Sequence, residues 1–330
     1  MADTLCVDIG NFSTLSAVVS GRENTEVFKM RSLIFDATQS GECRDAVHPA
    51  DSPLITVGGK TYKLGRHAKG YTGFLSAVEA GKSRADIILP ILLANTPDGF
   101  EGVVKMLVPS RNELQEKLIA VGILGTHSFT TKAEGKEISA IANFTNIEFV
   151  RETDSAAKFA YESGVVSPDD VVLCIDIGGG TTNVVVATYE DDVFNVIFRK
   201  SYDNSGGIQL AQAIANTDVI KSLNREFEIT KIMDAITEGK THIGNRTDYS
   251  FAAVWESSVN VWFDGLLSRI MSACDKQLDE VTQILWCGGG SEIIRDRVQN
   301  QPGNLFLDNP QETNIRGLIH SAKPQLRIAA

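Results

Sequence analysis

The feature that most constrains the fold of this chain is a hairpin pattern that occurs twice. Residues 4–19 and residues 171–187 each contain an apolar strand, an aspartate, a turn with glycine or hydroxyl residues, and a second apolar strand. The two aspartates, Asp8 and Asp176, lie 168 positions apart. The tip of such a hairpin presents backbone N–H groups and one carboxylate, so it can hold a phosphate group. The repeat predicts two similar domains that grip a triphosphate and its metal ion from opposite sides.

The strand pattern around each hairpin is repeated as well. Apolar runs bounded by turn residues predict a three-stranded antiparallel meander in each half of the chain. The predicted strands are Thr4–Ile9, Leu15–Ser20 and Glu26–Met30 in the first half, and Val171–Ile177, Asn183–Tyr189 and Val193–Lys200 in the second. Glycine, proline and acidic residues between 163 and 170 are typical of a connection. We therefore place the first domain at residues 1–165 and the second at residues 166–330.

Each domain is expected to contain a small inserted subdomain. The region from about 32 to 84 is less periodic and rich in glycine and turn residues, and the region from about 216 to 252 is mixed and charged. A helix is predicted at about 310–321, and we expect it to pack back on the first domain.

Composition narrows the class of protein. A chain of 330 residues with 43% hydrophobic content can build two packed domains. The five cysteines form no C-x-x-C pair and the five histidines lack metal-ligand spacing, which indicates buried thiols in a reducing compartment and argues against zinc. A net charge of −11 argues against direct nucleic-acid binding. No apolar run is long enough to span a bilayer, and the chain does not open on a leader pattern, so we expect a cytoplasmic protein.

The two hairpin tips supply most of the candidate binding residues. Glycine lets the backbone approach a ligand and adopt positive φ, and hydroxyl side chains add hydrogen-bond donors. Asp8 and Asp176 are expected to face a Mg²⁺ ion through its water ligands. Either turn alone is equally well explained as an ordinary hairpin turn, and the pair makes the binding role the better interpretation. The candidates are Asp8, Gly10, Asn11, Ser13 and Thr14 in the first turn, and Asp176, Gly178, Gly179, Gly180, Thr181 and Thr182 in the second.

Two further glycine segments follow in the second half. The apolar strand at 284–287 runs through Gly288, Gly289 and Gly290 into a helix that begins near Ser291. Glycines at this point leave a flat surface that suits an adenine ring and a ribose, with a helix N-terminus nearby. Gly206 and Gly207 precede another helical run and complete the set of candidate contacts.

These aspartate–glycine turns, in the order first phosphate, second phosphate and adenosine, resemble those of the superfamily of actin, sugar kinases and heat-shock-chaperone ATPases. The resemblance covers nearly the whole chain. It implies an α/β protein with two actin-like (RNase H-like) domains flanking a nucleotide cleft, each with a small inserted subdomain. It also implies ATP, with GTP left open, and Mg²⁺ as cofactors.

The resemblance further implies a catalytic residue in the helix between the two phosphate turns. Residues 150–161 look like that segment, and Glu152 falls at the position of the residue that positions the attacking water. Asp154 takes that position if the alignment slips by two residues. Without the resemblance, an acid at a helix start is explained by the helix dipole alone.

Within the superfamily, the short chain and small insertions look most like bacterial ParM-type plasmid-segregation filaments and their archaeal relatives. This implies an ATPase that polymerises head to tail into cytoskeletal filaments and destabilises them on hydrolysis. A second copy of the chain and a DNA-binding adaptor protein are the implied partners, and plasmid segregation or intracellular organisation is the implied role. A small-molecule kinase or phosphatase of the same superfamily and a non-polymerising ATP-sensing module are the alternatives.

Overall fold

The computed structural model describes residues 3–21, 25–81, 83–191, 193–223 and 227–323. They form a mixed α/β protein with two β-sheets. The chain divides into two compact units. The first unit comprises the residues up to Ser155 together with those from Asn314 onward, and the second runs from Ala156 to Thr313. The domain limits expected from the sequence stay a prediction.

The first unit is built on one large sheet. Its strands are β1 (Asp3–Ile9), β2 (Ser13–Val19), β3 (Phe28–Arg31), β4 (Leu33–Asp36), β5 (Leu54–Val57), β6 (Lys60–Leu64), β7 (Leu75–Ser76), β8 (Phe100–Val108), β9 (Gly125–Ala133) and β10 (Lys136–Arg151). Among the described residues these ten strands have the order β3-β2-β1-β8-β10-β9-β5-β6-β4-β7. The helices are α1 (Gly41–Asp45), α2 (Ala77–Ala80), α3 (Ala85–Leu93) and α4 (Glu113–Ile123), with a 3₁₀ turn at Arg66–Gly70. Strand β10 ends next to α5 (Glu152–Glu162), the helix in which the chain passes from the first unit to the second.

The second unit is built on a smaller sheet. Its strands are β11 (Val172–Ile177), β12 (Thr181–Glu190), β13 (Val193–Asp203), β14 (Gln283–Cys287) and β15 (Asn304–Phe306). In the part of the unit that the structure describes, they have the order β13-β12-β11-β14-β15. The helices are α6 (Gly207–Ala215), α7 (Asp218–Lys221), α8 (Ile229–Thr237), α9 (Ala252–Ala273), α10 (Asp275–Leu278) and α11 (Ser291–Val298). A 3₁₀ turn at Pro310–Glu312 leads to α12 (Thr313–Ala322), most of which belongs to the first unit.

The repeated sequence pattern corresponds to a repeated arrangement of strands in the two units. In the first unit β1, β2 and β3 are antiparallel neighbours, β8 is parallel to β1, and β10 is parallel to β8. In the second unit β11, β12 and β13 are antiparallel neighbours, β14 is parallel to β11, and β15 is parallel to β14. Five strands therefore have the same order and the same directions in both units, which confirms the two predicted meanders and the α/β fold class.

The apolar faces of these sheets hold the helices in place. In the first unit Ile315, Leu318 and Ile319 of α12 are buried against Cys6 and Leu15 of the hairpin strands. In the second unit the alanines at 156, 157 and 160 of α5 pack against Cys174 and Leu285. The small side chains let this helix lie close to the sheet. All five cysteines are buried free thiols, as predicted from the sequence.

The segment between β3 and β8 contains a buried lysine. Lys63 is 1% exposed, and its Nζ atom lies 2.8 Å from Nδ1 of His48 and donates to the carbonyl oxygen of Ser52. Burial lowers the pKa of Lys63 to about 8. Burial and the neighbouring Lys63 charge lower the pKa of His48 to about 4, so His48 is neutral at pH 7 and its Nδ1 can accept the hydrogen bond. The pair anchors β6 to the loop that precedes β5.

Within the described ranges, the helices are all too short or too polar to cross a membrane.

Candidate functional site

The first candidate turn joins β1 to β2. The N–H of Gly10 donates to the carbonyl oxygen of Ser13 at 3.1 Å, and the residue pairs Asp8–Leu15 and Ile9–Thr14 lie opposite each other on the two strands. A Cβ atom added to Gly10 would lie 2.7 Å from the Ser13 oxygen, closer than real contacts allow. The turn can close only because residue 10 has no side chain.

The second candidate turn, between β11 and β12, repeats this geometry. The N–H of Gly178 donates to the carbonyl oxygen of Thr181 at 2.9 Å, and Asp176 lies opposite Asn183. A Cβ added to Gly178 would lie 3.1 Å from that oxygen. Neither Gly10 nor Gly178 has a positive φ, contrary to the expectation from sequence. Close backbone approach is the reason for glycine at these two positions.

Each turn is held by the residues that follow the third strand of its meander. The N–H of Ser32 donates to Phe12 O at 3.0 Å, and the N–H of Ser205 donates to Gly180 O at 3.3 Å. Phe12 and Gly180 are 168 positions apart, as are the two aspartates. The repeat therefore extends to the hydrogen bonds that support the two tips.

Two of the candidate hydroxyl groups support the turns from inside. Thr14 is 1% exposed, and its Oγ1 lies 3.0 Å from Oγ of Ser32. Thr182 is 0% exposed, and its Oγ1 donates to Ser205 O at 3.3 Å. Both hydroxyl groups thus have partners within the protein, and their expected contact with a ligand stays a prediction.

The hydroxyl group of Ser13, unlike those of Thr14 and Thr182, lacks a hydrogen-bond partner among the described residues. Its Oγ atom is also buried. A buried hydroxyl without a partner is costly, so such an atom at the tip of a turn fits a place where a bound anion accepts its hydrogen bond. The other tip residues, which are Asn11, Gly179, Gly180 and Thr181, are partly buried.

The start of α6 lies directly against the second turn. The N–H groups of Gly207 and Ile208 donate to the carbonyl oxygens of Gly178 and Gly179 at 3.1 and 2.8 Å. A Cβ added to Gly206 would lie 2.3 Å from Gly178 O, so two stretches of backbone meet here with no room for a side chain. The structure thus brings Gly206 and Gly207 to the second turn, with the positive end of the α6 dipole beside it.

The third glycine segment reaches the same place from β14. Asp176 lies opposite Cys287 across the two strands, and the N–H of Gly290 donates to Ile177 O at 2.7 Å. Gly288 has φ +81°, and a Cβ there would lie 2.3 Å from Oδ1 of Asp176. Asp176 itself is 3% exposed. Three glycine segments that are far apart in sequence therefore meet at the second turn, next to Asp176, within the second unit.

Ser291 closes the third turn. Its Oγ donates to Gly288 O at 2.7 Å, and the side chain is 0% exposed. The expected contact of this hydroxyl with a ligand is therefore replaced by support of the turn. The 3₁₀ segment at 310–312 also packs here, since the N–H of Gly288 donates to Pro310 O at 2.8 Å.

Glu152 and Asp154 both lie in the first turn of α5 and are partly buried. This helix start is fixed within the first unit, where Oγ of Ser155 donates to Asn314 O at 3.0 Å. Gly317 of α12 approaches so closely that a Cβ there would lie 2.2 Å from Ser155 O. The geometry places both acids on a rigid helix start, and the choice between them stays a prediction.

Sequence reasoning missed two residues at these turns. Arg31, at the end of β3, donates from Nη1 to Phe12 O at 3.1 Å. Trp262 of α9 donates from Nε1 to Ser205 O at 3.3 Å and so holds the segment that precedes α6. The register of the first meander could have indicated Arg31, because Arg31 lies opposite Ser13. The contact of Trp262 has no signal in the sequence.

Comparison with known proteins finds similarity over parts of this chain. A family model described as archaeal actin homologue MreB-like, C-terminal, matches residues 174–300. The DnaK chaperone of Ureaplasma urealyticum is 24% identical over 216 residues, 54% of this chain and 35% of the chaperone. The DnaK chaperone of Thermoplasma acidophilum is 23% identical over 201 residues, 51% of this chain and 33% of the chaperone. The chain thus spans about a third of the length of the curated relatives it matches.

Solved structures share the fold over the whole chain. A ParM from a 15-stranded filament of Clostridium botulinum has a TM-score of 0.77 and 15% identity, covering 97% of this chain and 99% of the ParM. An archaeal actin homologue in complex with ADP has a TM-score of 0.73 and 17% identity, covering 98% and 99%. A Bacillus thuringiensis ParM with ATP has a TM-score of 0.65 and 15% identity, covering 97% and 98%. The predicted actin-like fold is confirmed.

The geometry of the third turn gives a test with an adjacent control. Gly288→Ala should lower the free energy of unfolding of the second unit by about 3 kcal/mol, because a methyl group there meets Asp176 in a left-handed backbone conformation. Gly289→Ala should change it by less than about 0.5 kcal/mol, since its methyl group meets only the Gln311 side chain, at 3.5 Å. Urea unfolding followed by tryptophan fluorescence reports this unit, because all three tryptophans lie in it. Equal losses for the two variants would show that the close approach is not the constraint.

Proposed function

We propose that this chain, which belongs to the superfamily of actin and heat-shock-chaperone ATPases, is an actin-like ATPase that polymerises into dynamic filaments. Its ligand in this proposal is Mg²⁺-ATP, with GTP left open. Filaments grow head to tail when ATP is bound and weaken after hydrolysis.

The observation that carries the proposal is the pair of equivalent turns. Both are closed by the same backbone hydrogen bond, both follow an aspartate, and both are supported by the same pattern of contacts. A repeated anion-binding turn fits a ligand that carries several phosphate groups. The binding of ADP by an archaeal actin homologue and of ATP by a ParM of the same fold also supports this choice of ligand.

The residues present fit a nucleotide. In this proposal the N–H groups of the two tips and the hydroxyl of Ser13 bind phosphate oxygens. Asp8 and Asp176 bind water ligands of Mg²⁺, which neutralises phosphate charge when it is present. In this proposal the base and ribose lie beside the glycine segment at 288–290, whose backbone is held by hydrogen bonds to Ile177 and Pro310.

Glu152 is the proposed catalytic residue. Its carboxylate would accept a hydrogen bond from a water molecule and hold it in line for attack, and Asp154 is the alternative. Positioning of this kind and charge neutralisation carry most of the catalysis of phosphoryl transfer. The rigid start of α5 suits the task, because a water-positioning group must be held in a narrow range of orientations.

Nucleotide would control assembly by favouring one of two arrangements of the chain. A ligand shifts such an equilibrium only by binding one arrangement more tightly than the other. Contacts between unlike faces of identical subunits do not close on themselves, so they generate open filaments. The ParM structure from a 15-stranded filament supports this mode for a chain with the same fold.

The proposed partners come from the resemblance to ParM-type filaments, and the charge of the chain agrees with them. A filament whose subunits each carry a net charge of −11 suits a basic DNA-binding adaptor rather than DNA itself. We place the protein in the cytoplasm, with plasmid segregation or intracellular organisation as its role.

Sedimentation tests the proposed assembly. The purified chain should pellet in the ultracentrifuge with Mg²⁺-ATP and stay in the supernatant without nucleotide, and electron microscopy of the pellet should show filaments. A chain that binds ATP but remains monomeric at high micromolar concentration would be an ATP-sensing module. Phosphate transfer from ATP to a small hydroxyl compound, without polymer, would indicate a kinase instead.

The catalytic residue can be tested with its neighbour as control. Glu152→Ala should bind ATP with unchanged affinity and slow phosphate release by about a hundredfold, because the attacking water is no longer oriented. Filaments of this variant should therefore persist longer than those of the wild type. Asp154→Ala should leave phosphate release close to wild type. The reverse pattern would assign the role to Asp154, and two normal variants would remove it from this helix start.

A further inference from the structure

The first turn has an arginine at a position where the second turn has an acid. Arg31 is the last residue of β3 and lies opposite Ser13 in the meander. Its guanidinium carbon lies 3.0 Å from the centre of the Phe12 ring, and its Nη1 atom donates to Phe12 O. The guanidinium group is therefore held at the tip of the turn by an aromatic face and a backbone oxygen.

This mode of attachment suits anion binding. A guanidinium group that stacks on a ring keeps its N–H donors in one plane and around its edge, where they match the oxygens of a phosphate. Because stacking and the bond to Phe12 already restrict the side chain, little further conformational entropy is lost when a ligand binds. Ser13, opposite Arg31, adds the buried hydroxyl without a hydrogen-bond partner among the described residues.

The residue at the equivalent position of the second unit indicates that Arg31 has a specific role. There, Thr181 lies opposite Asp203, so the residue that corresponds to Arg31 in the repeat is an acid. The two tips share their backbone geometry and differ in this charge. In a chain with a net charge of −11, a polyphosphate needs local positive charge to offset the repulsion of the protein.

We infer that Arg31 is a phosphate-binding residue of the nucleotide site, with its guanidinium group paired to the polyphosphate tail from the side of the first turn. The inference rests on the proposed function, because it takes a nucleoside polyphosphate as the ligand. It adds a positively charged group to the N–H groups and the Ser13 hydroxyl that the proposed function assigns to the first turn.

The test is equilibrium binding of ATP to four variants, by calorimetry in buffers of low and high salt. Arg31→Gln removes the charge but keeps a donor for Phe12 O, and it should weaken ATP binding by about tenfold or more. Arg31→Lys keeps the charge and should weaken binding less. Phe12→Leu keeps the charge but removes the aromatic face that restrains it, so it should weaken binding by less than Arg31→Gln does. Lys29→Met removes a charge from an exposed residue of the same strand and should bind as the wild type does.

Salt dependence separates a charge contact from a merely structural role. Wild-type affinity should fall as salt rises, and the fall should be smaller for Arg31→Gln because one charge contact is gone. The inference is overturned if Arg31→Gln binds ATP as tightly as the wild type, if Arg31→Lys is as weak as Arg31→Gln, or if Phe12→Leu loses as much as Arg31→Gln. Failure of the wild type to bind ATP or GTP would instead refute the proposed function.

Discussion

A backbone hydrogen bond that closes a tight turn after an aspartate is the interaction on which the candidate site depends. In both units the N–H of a glycine reaches the carbonyl oxygen three residues later, and a Cβ would lie 2.7 Å from that oxygen at Gly10 and 3.1 Å from it at Gly178. The turn brings the following strand back beside the first, fixes the register of the hairpin, and leaves the tip free of side chains at its narrowest point. Asp8 and Asp176, each two residues before the glycine, lie near the ends of the strands β1 and β11.

Packing around Asp176 explains why glycine recurs along the second half of the chain. The N-terminus of α6 and the end of β14 each approach the second hairpin within backbone contact. A side chain at Gly206, Gly288 or Gly290 would separate them. Close packing of backbone, and not loop flexibility, is therefore the physical reason for these glycines, and the same packing holds the aspartate in a single environment.

The sequence predicted the meanders and the turns because each depends on residues that are neighbours in the chain. It assigned Thr14, Thr182 and Ser291 to the ligand, whereas the structure shows their hydroxyl groups bonded within the protein. The directions of Thr14 and Thr182 depend on strand register, because a shift of one residue reverses the side of the sheet that a side chain faces. The bond of Ser291 depends on the turn that precedes α11. Arg31 was missed because its contact with Phe12 depends on pairing between strands. The role of Glu152 rests on resemblance alone, since a catalytic water has no signature in the packing of α5.

The central claim is that one nucleotide requires both turns. Calorimetric titration of Mg²⁺-ATP into the wild type, Asp8→Asn and Asp176→Asn tests it most directly, because each substitution removes one charge while keeping the size of the side chain. The account predicts one ATP per wild-type chain and a loss of about tenfold or more in affinity for either variant. The claim would be contradicted if the wild type had two independent sites and each variant lost one of them. It would also be contradicted if either variant bound ATP with full affinity.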